Sequence, residues 1–223
     1  MKILHLSDTH GKHRELTNMP SADILVHSGD FTLSGDDMEA LDFIEWLCDL
    51  PYKHKIFIAG NHDDCMQDSS LEGLPKNVHY LSDSGIVIDG ISFYGTPMFV
   101  VFDGEDLKEI EHYEQILENT DVLITHRPPL GILDSIDDKL HYGSSILLER
   151  ISHIKPKMHL FGHVHSAYGT IDWKGITFCN AGLSDWKYDI RYSPQLLDIY
   201  IKSSRQVSSA SHQLQLSRYT HSL

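Results

Sequence analysis

Short apolar runs recur along the chain and alternate with longer stretches of helical periodicity. Runs of about four to six residues with this composition are typical of buried β-strands. The strands predicted in this way are Lys2–Leu6, Ile24–His27, Ile56–Ala59, Val78–Leu81, Ile86–Ile88, Ile91–Tyr94, Val122–Thr125, Met158–Phe161, Gly169–Asp172, Ile176–Asn180 and Leu196–Ile201. Asp89-Gly90 and Lys174-Gly175 each separate two apolar runs by two residues, which indicates tight antiparallel hairpins.

Three segments have helical periodicity: Asp36–Asp49, Leu107–Asn119 and Ser144–His153. In the first, the spacing of apolar residues predicts a buried face that consists of Met38, Leu41, Ile44, Leu47 and Cys48. Asp36 and Glu39 have the spacing of an N-terminal cap pair. The first half of the chain is βαβ-like and the second half is rich in hairpins. We therefore expect an α/β or α+β fold, with two mixed β-sheets packed face to face and helices on the outside.

The chain length of 223 residues suits one domain, which we place at residues 1–202. Residues 203–223 are rich in Ser and Gln, and we expect them to form a C-terminal tail that is ordered in part at most. No apolar run is long enough to span a membrane, and the N-terminus is interrupted by polar residues where a signal peptide would be apolar. The cysteines Cys48, Cys65 and Cys179 are odd in number, which favours reduced thiols and a cytoplasmic location.

Charge and histidine content narrow the possible functions. The chain has 32 acidic and 18 basic residues, a formal charge of −14, which argues against long nucleic acid as a partner because phosphate backbones attract a surplus of Lys and Arg. It also has 16 histidines. Seven of them are interpreted as scattered surface residues: His13, His54, His112, His141, His153, His212 and His221. The others are interpreted as members of short clusters that suggest metal chemistry.

Five polar clusters follow predicted strands: Asp8-Thr9-His10, Gly29-Asp30, Gly60-Asn61-His62-Asp63, Thr125-His126 and Gly162-His163-Val164-His165. Loops at strand ends converge on one edge of an α/β sheet, so the clusters can share a site. Residues two apart point the same way in an extended segment, so each Asp-x-His or His-x-His pair can reach one ion. A carboxylate such as Asp30 can bridge two ions, whereas Asn61 is either a neutral oxygen ligand or a turn residue. Oxygen and nitrogen donors without thiolate fit Mn, Fe, Zn, Co or Ni.

The motifs DTH, GD, GNHD, TH and GHVH, in this order, resemble those of the calcineurin-like metallophosphoesterase superfamily. The intervening segments SGDFTLSGDDMEALDFIEWL, YLSDSGIVIDGISFYGTP, THRPPLGILD and IKPKMHLFGHVHSAYG are similar to the small metallophosphoesterase-domain-containing subfamily, which is related to class III cyclic nucleotide phosphodiesterases. The likeness covers roughly Met1 to Ile201.

The resemblance implies a four-layer α/β/β/α sandwich, the metallo-dependent phosphatase fold, with two divalent transition metal ions. It implies that Asp8, His10 and His165 bind the first ion, that Asp30 bridges, and that the second ion is bound by Asn61, His126 and His163. His62 would be the catalytic residue that faces the scissile phosphate. The implied reaction is hydrolysis of a small phosphate ester, foremost a phosphodiester such as a cyclic nucleotide, by attack of a metal-bridging hydroxide.

The sequence departs from the superfamily pattern after Asp30, where residues 31–35 lack the Asp and Arg of GDxxDR. This argues against a protein Ser/Thr phosphatase. Charged support is expected instead from Asp63, Asp64 or Arg127, and we name Arg127 and Asp63 as candidate substrate-binding residues. Residues 180–182 form either a rim of the site or a simple turn. Tyr94, Phe99 and Phe102 could shape an aromatic wall, but core or loop packing is the favoured interpretation of these side chains.

Two alternatives compete with the phosphodiesterase: a nuclease or end-processing enzyme, and a non-catalytic scaffold. The surplus of acidic over basic residues argues against the nuclease. The presence of all candidate ligands and of His62 argues against the scaffold, because non-catalytic relatives typically lose one of these residues. Neither the oligomeric state nor the identity of the metals follows from the residues.

Overall fold

The computed structural model describes residues 1–69, 71–99, 110, 112–137 and 139–200. Within them the strands are β1 (Lys2–Leu6), β2 (Ile24–His27), β3 (His54–Phe57), β4 (Val78–Tyr80), β5 (Ser84–Ile88), β6 (Ile91–Thr96), β7 (Val122–Thr125), β8 (Met158–Phe161), β9 (Gly169–Trp173), β10 (Ile176–Asn180) and β11 (Gln195–Asp198). The two helices with defined bounds are α1 (Asp37–Asp49) and α2 (Ser145–Ile154). Every predicted strand is present, and the boundaries differ by three residues at most where they can be compared.

The strands form two mixed sheets. The first has the order β11-β1-β2-β3-β4, in which β1 to β4 are parallel and β11 is antiparallel at the edge. The second has the order β5-β6-β7-β8-β10-β9, in which the four central strands are parallel and both edge strands are antiparallel. The edge pairs β5–β6 and β9–β10 are the predicted hairpins, so both hairpin predictions are confirmed. Parallel strands need cover on both faces, which explains their continuous apolar sequences.

Three apolar clusters divide the molecule into four layers. The central cluster lies between the sheets and contains Ile3, Val26 and Phe93. A second cluster packs α1 against the outer face of the first sheet, and a third packs α2 against the outer face of the second sheet. The expected α/β/β/α sandwich is therefore confirmed.

The buried face of α1 differs from the prediction. Met38 and Leu41 are 70% and 52% exposed, whereas Ala40, Phe43, Trp46 and Leu47 are buried. Two large aromatic side chains decide the orientation, because Phe43 stacks on Phe31 of the adjoining loop with ring centroids 4.3 Å apart. The predicted face is thus correct at Leu47, with Ile44 and Cys48 half-buried against the same cluster, and wrong at Met38 and Leu41.

The ends of α1 are fixed by side chains. The carboxylate of Asp36 caps the helix by accepting from the amide of Met38 at 2.8 Å. Glu39 accepts from the amides of Leu33 and Ser34 instead of returning to Asp36, so the two acids do not form the reciprocal pair that their spacing suggested. At the other end, the ammonium of Lys55 donates to the carbonyls of Cys48 and Leu50 at 3.0 Å each.

Several predictions fall partly outside the described residues. The helix predicted at Leu107–Asn119 is one of them: residues 110 and 112–114 are helical, and 101–109 and 111 are not described. The proposed tail, residues 203–223, also lies outside the described residues, as do Ile201, His212 and His221. The three cysteines are all unpaired. Among the described helices, none is long and apolar enough to cross a membrane.

His13 corrects the interpretation of the scattered histidines. Its side chain is 1% exposed, packs against Phe43 and Trp46, and lies 3.0 Å from the carboxylate of Asp42. It is a core residue with a carboxylate partner and not a surface histidine. His141 and His153, by contrast, have exposed side chains, as expected.

Candidate metal centre

The carboxyl ends of strands from both sheets meet at one edge of the sandwich. Asp8 and Asp30 follow β1 and β2 of the first sheet, while His126 and His163 follow β7 and β8 of the second. A parallel bridge between Ser7 and Gly182 joins the two sheets at this point. The predicted convergence is therefore realised across both sheets, and ligands far apart in sequence reach one cleft.

Asp8, His10 and His165 form a first group, whose potential ligand atoms all lie within 4.8 Å of one another. The Nε2 atoms of the two histidines are 3.3 Å apart, and Nε2 of His165 is 3.2 Å from Oδ1 of Asp8. Asp30, His126 and His163 form a second group of the same dimensions. Nε2 of His126 lies 3.2 Å from Oδ2 of Asp30.

The histidine tautomers leave one ring nitrogen open toward the cleft. The Nδ1 atoms of His10, His126 and His165 lie 3.2, 2.8 and 3.1 Å from backbone carbonyl oxygens, those of Thr32, Ser28 and Asp185. A carbonyl only accepts, so Nδ1 carries the proton in each ring and Nε2 presents a lone pair. This is the arrangement in which histidine binds metal ions, with the outer nitrogen fixed by a hydrogen bond.

Oδ1 of Asn61, directly before His62, is buried without a hydrogen-bond partner, and Nε2 of His126 is buried with the carboxylate of Asp30 beside it but no hydrogen bond of good geometry. An unpaired buried polar atom costs about 1–3 kcal/mol, a cost that a bound cation would remove. Both are hard or borderline donors of the kind that divalent transition metals bind. The residues present therefore fit a pair of divalent ions.

The electrostatics favour a cation. Burial opposes ionisation of Asp8, but its hydrogen bond with His165 and the nearby His126 outweigh this and hold the pKa of Asp8 below its usual range. Burial likewise opposes a charge on His126, but Asp30 and Asp8 outweigh it and raise the pKa of His126 to about 9. The two buried carboxylates thus attract a positive charge at Nε2, which a metal ion would supply in place of a proton.

The backbone around the centre is strained. Asp8, His10, Asp30 and His163 all have positive φ angles, of 56°, 42°, 57° and 69°. Non-glycine residues adopt this left-handed conformation at a cost, and such strain concentrates at functional sites. The expected extended geometry of the Asp-x-His and His-x-His pairs is therefore wrong. The first pair converges through left-handed turns, while His163 and His165 fall into different groups.

His62 lies at the edge of the first group. It offers a ring nitrogen within 4.8 Å of ligand atoms on His10 and Asp30. Its Nδ1 atom lies 2.9 Å from the carbonyl oxygen of Leu33, which orients the ring and leaves Nε2 for the cleft. The carboxylate that the superfamily pattern supplies after the GD motif is thus replaced here by a backbone carbonyl.

The structure corrects the expectation for Asp63. This side chain is fully buried, and its oxygens accept from the backbone amides of Asp30, Thr32 and Gly60 at 2.8 Å each. It holds two of the candidate ligand loops together from behind, so a substrate in the cleft does not reach it. Burial and the charge of Asp30 raise the pKa of Asp63 to about 7, yet the amides that surround it are donors and bind the carboxylate form.

The other expected parts of the site are placed as follows. Nε of Arg127 donates to the carbonyl of Tyr142 at 3.1 Å. Asn180 is buried and donates to the carbonyls of Leu133 and Val164, which makes it a support for the rim. The favoured interpretation of the aromatic residues, core packing, is confirmed for two of them: Tyr94 is buried beneath the second sheet and Phe99 packs against the α1 cluster, while Phe102 lies outside the described residues.

Sequence reasoning missed Tyr188. Its ring centroid lies 4.5 Å from that of His10, 5.6 Å from that of His62 and 6.1 Å from that of His165. The residue has a φ of 62°, so the backbone is strained where it brings the phenol ring against these imidazoles. Tyr188 follows no strand and belongs to no recognised motif, and a sequence alone carries no signal of its position.

A layer of buried histidines beneath the centre was also missed. His5, His27 and His159 are fully buried, and burial lowers the pKa of each to about 3. His5 contacts Ser28, His27 contacts Thr9, and His159 contacts Thr125, each through a hydroxyl at 2.9–3.0 Å. These neutral imidazoles support the strand ends that carry the candidate ligands.

Comparison with known proteins shows the family to which the chain is related. Residues 1–167 match the family model described as calcineurin-like phosphoesterase. The chain is 33% identical over 231 residues to metallophosphoesterase domain-containing protein 1 of Homo sapiens, covering 89% of this chain and 71% of the relative. A UPF0046 protein of Caenorhabditis elegans is 36% identical over 227 residues, covering 89% of this chain and 81% of the relative.

Solved structures share the fold at low sequence identity. A Thermus thermophilus protein, TT1561, superposes with a TM-score of 0.54 at 13% identity, covering 82% of this chain and 91% of its own. GAP50 of Plasmodium superposes with a TM-score of 0.52 at 12% identity, covering 82% of this chain and 71% of its own. The family match and the Asp/His centre together define a metal-dependent phosphoester hydrolase. The chain belongs to the calcineurin-like phosphoesterase family, whose members bind two divalent metal ions.

Proposed function

We propose that this protein hydrolyses a small phosphodiester, such as a cyclic nucleotide, at a centre of two divalent transition metal ions. The proposed ligands of the first ion are Asp8, His10 and His165, and those of the second are Asn61, His126 and His163, with Asp30 shared. The observation that carries the proposal is the convergence of imidazoles on two buried carboxylates, with Nδ1 of His10, His126 and His165 fixed by backbone carbonyls.

The ions, when bound, lower the pKa of water and neutralise charge that develops on the phosphate. Overall, the oxygen of water forms a bond to phosphorus, one ester P–O bond breaks, and a proton reaches the leaving oxygen. His62 is the proposed donor of that proton. Its Nδ1–H stays on the carbonyl of Leu33, so a protonated ring can donate from Nε2 to the leaving oxygen.

The charges around the cleft support a diester over a monoester. Lys12 is paired with Asp189 at 2.5 Å, and Arg191 with Asp185 at 2.7 Å, so these two cations near the site are already engaged by carboxylates. A diester carries one negative charge and a monoester carries up to two near neutral pH. The diester is therefore better matched to an acidic protein of net charge −14. Arg127, directly after His126, is the proposed contact for that single charge.

The test is a hydrolysis assay with defined metals. The protein is stripped with a chelator and reloaded with Mn, Fe, Zn, Co or Ni, and its turnover of bis-p-nitrophenyl phosphate, p-nitrophenyl phosphate and 2′,3′-cyclic AMP is measured. We expect turnover that vanishes on chelation, returns with metal and favours the diesters. A metal-loaded protein with two bound ions and no turnover of any of these esters would contradict the proposal and favour a scaffold.

A further inference from the structure

A cavity of about 610 Å³ opens directly beside the candidate metal centre. We call it the aromatic cavity; its principal lining residues are His163, His165, Ile136, Tyr142, Trp186 and Tyr192. The two histidines belong to both the cavity and the metal groups. A phosphoester whose phosphorus lies at the centre therefore has this cavity as the neighbouring space for one of its substituents.

The walls of the aromatic cavity are exposed aromatic and apolar side chains. Trp186 is 80% exposed, and Ile136, Tyr142 and Tyr192 also present substantial surface. Water contacts with so much apolar surface are unfavourable, and clusters of this kind mark binding sites. The volume is within the range of about 300–1,000 Å³ that is typical of small-molecule pockets. It is large enough for a nucleoside or an aryl group.

The loop that carries Trp186 is held in place. The carboxylate of Asp185 accepts from the amides of Lys187 and Asp189 at 2.8 and 3.1 Å, and from Arg191 Nε at 2.7 Å. The carbonyl of Asp185 also accepts from Nδ1 of His165. The indole is thus attached to the same loop that orients a candidate metal ligand, so its distance from the centre is set by the fold.

A second wall is also rigid. The ring of Tyr192 stacks on that of Tyr168 with centroids 4.3 Å apart and an interplanar angle of 6°. Lys187 places its ammonium 4.8 Å from the ring centroid of Trp186, which adds a positive charge at the rim. Pre-formed aromatic walls favour planar ligands, because stacking then requires little loss of side-chain freedom.

We propose that the aromatic cavity binds the planar aromatic part of the substrate, a nucleobase or an aryl group, and that Trp186 is its specificity-determining residue. This inference rests on the proposed phosphodiesterase function and deepens it, because it names the substrate class as phosphodiesters that carry an aromatic group. Tyr94 and Phe99, which the sequence offered as an alternative wall, pack into the cores.

The test compares two cyclic diesters with the same reacting group. 2′,3′-cyclic AMP carries a base, and glycerol 1,2-cyclic phosphate does not. In Trp186→Ala we expect kcat/KM for the nucleotide to fall about tenfold, the order of magnitude of one stacking contact, while the value for the glycerol ester changes less than about twofold. Trp186→Phe should retain most of the preference for the nucleotide over the glycerol ester. Trp173→Ala is the matched control, because Trp173 is 38% exposed, has Lys174 over its ring at 4.0 Å, and lies outside the cavity.

A binding measurement separates this inference from the proposed function. Titration of 5′-AMP and of ribose 5-phosphate into metal-loaded protein, followed by calorimetry, should show tighter binding of the nucleotide that is lost in Trp186→Ala. The role of the cavity would be overturned if the wild type bound 5′-AMP and ribose 5-phosphate equally tightly. It would also be overturned if Trp186→Ala lowered kcat/KM equally for both cyclic diesters. If the nucleotide binds through Trp186 but neither diester is hydrolysed, the cavity assignment stands and the proposed reaction fails.

Discussion

The carboxylate of Asp63 accepts a hydrogen bond from the backbone amide of Asp30 at 2.8 Å. The last residue of the GNHD motif therefore shapes the loop of the GD motif, thirty-three residues earlier in the chain. Because Asp30 has a positive φ of 57°, its loop needs this external support. The relationship makes Asp63 a positioning residue for the proposed bridging ligand.

We expect Asp63→Ala to destabilise the metal-free protein by about 3 kcal/mol and to weaken metal binding. Three buried amides, those of Asp30, Thr32 and Gly60, would lose their acceptor. Urea unfolding with chelator present, together with calorimetric metal titration, measures both effects. Asp64→Ala is the control, because this neighbouring carboxylate is exposed. Equal effects of the two substitutions would refute the positioning role.

His126→Ala and His62→Ala should separate metal binding from catalysis. We expect His126→Ala to lose bound metal and turnover together, because its unpaired Nε2 faces Asp30. His62→Ala should keep two ions and lose about 10²-fold or more in kcat, the usual range for a general acid. Metal content by mass spectrometry and turnover of bis-p-nitrophenyl phosphate measure the two properties. If His62→Ala instead loses an ion, His62 is a ligand alongside His10 and Asp30.

Gly162→Ala should weaken metal binding at least about tenfold although no ligand is changed. A Cβ at this position would lie 2.1 Å from Oγ of Ser7 and 2.2 Å from Oδ2 of Asp8, so the candidate ligand must move. Displacement of supporting groups costs a metal site about 10–100-fold in affinity. The readout is the dissociation constant for Mn²⁺ or Zn²⁺. Gly175→Asn is the control, because a Cβ there meets nothing within 4 Å and Asn tolerates its φ of 80°. Unchanged affinity in Gly162→Ala would contradict the assignment of Asp8.

The buried His159 should make the metal-free protein less stable in mild acid. Its pKa is about 3 in the folded protein and 6.5 when unfolded, so between these values only the unfolded state binds the proton. The free energy of unfolding therefore falls as the pH drops below about 6.5, by up to about 1.4 kcal/mol per pH unit for this group. At higher pH the ring is neutral in both states and contributes no pH dependence.

Glutamine does not titrate, so His159→Gln lacks this loss of stability in acid. We therefore expect the free energy of unfolding of the wild type to approach that of His159→Gln as the pH falls from 7 to 4.5. Urea unfolding at a series of pH values, with chelator present, measures it. His153→Gln is the control on an exposed position of α2. If the free energies of unfolding of His159→Gln and the wild type differ by the same amount at every pH in this range, the His159 ring does not stay neutral in the folded protein.

The sequence by itself determined the strands, the hairpins and the identity of the candidate ligands. Buried strands require local apolar runs such as Val122–Thr125, and a two-residue turn such as Lys174-Gly175 dictates its own pairing. Polar clusters directly after such strands point to the shared edge of the sheets because the chain direction within a parallel sheet is uniform. These are local signals, and the structure reproduces them without large shifts.

The tertiary structure alone decided that Phe43 and Trp46 of α1 are buried in place of Met38 and Leu41, and that Asp63 lies behind the cleft. It also brought Tyr188 against the imidazoles of the candidate centre, and Trp186 to the cavity beside it, from a loop without a motif. Each of these outcomes depends on contacts between segments distant in sequence, such as Phe31 on Phe43 or Asp185 on His165. Packing and long-range hydrogen bonds select among arrangements that are locally equivalent, so no window of the sequence contains the choice.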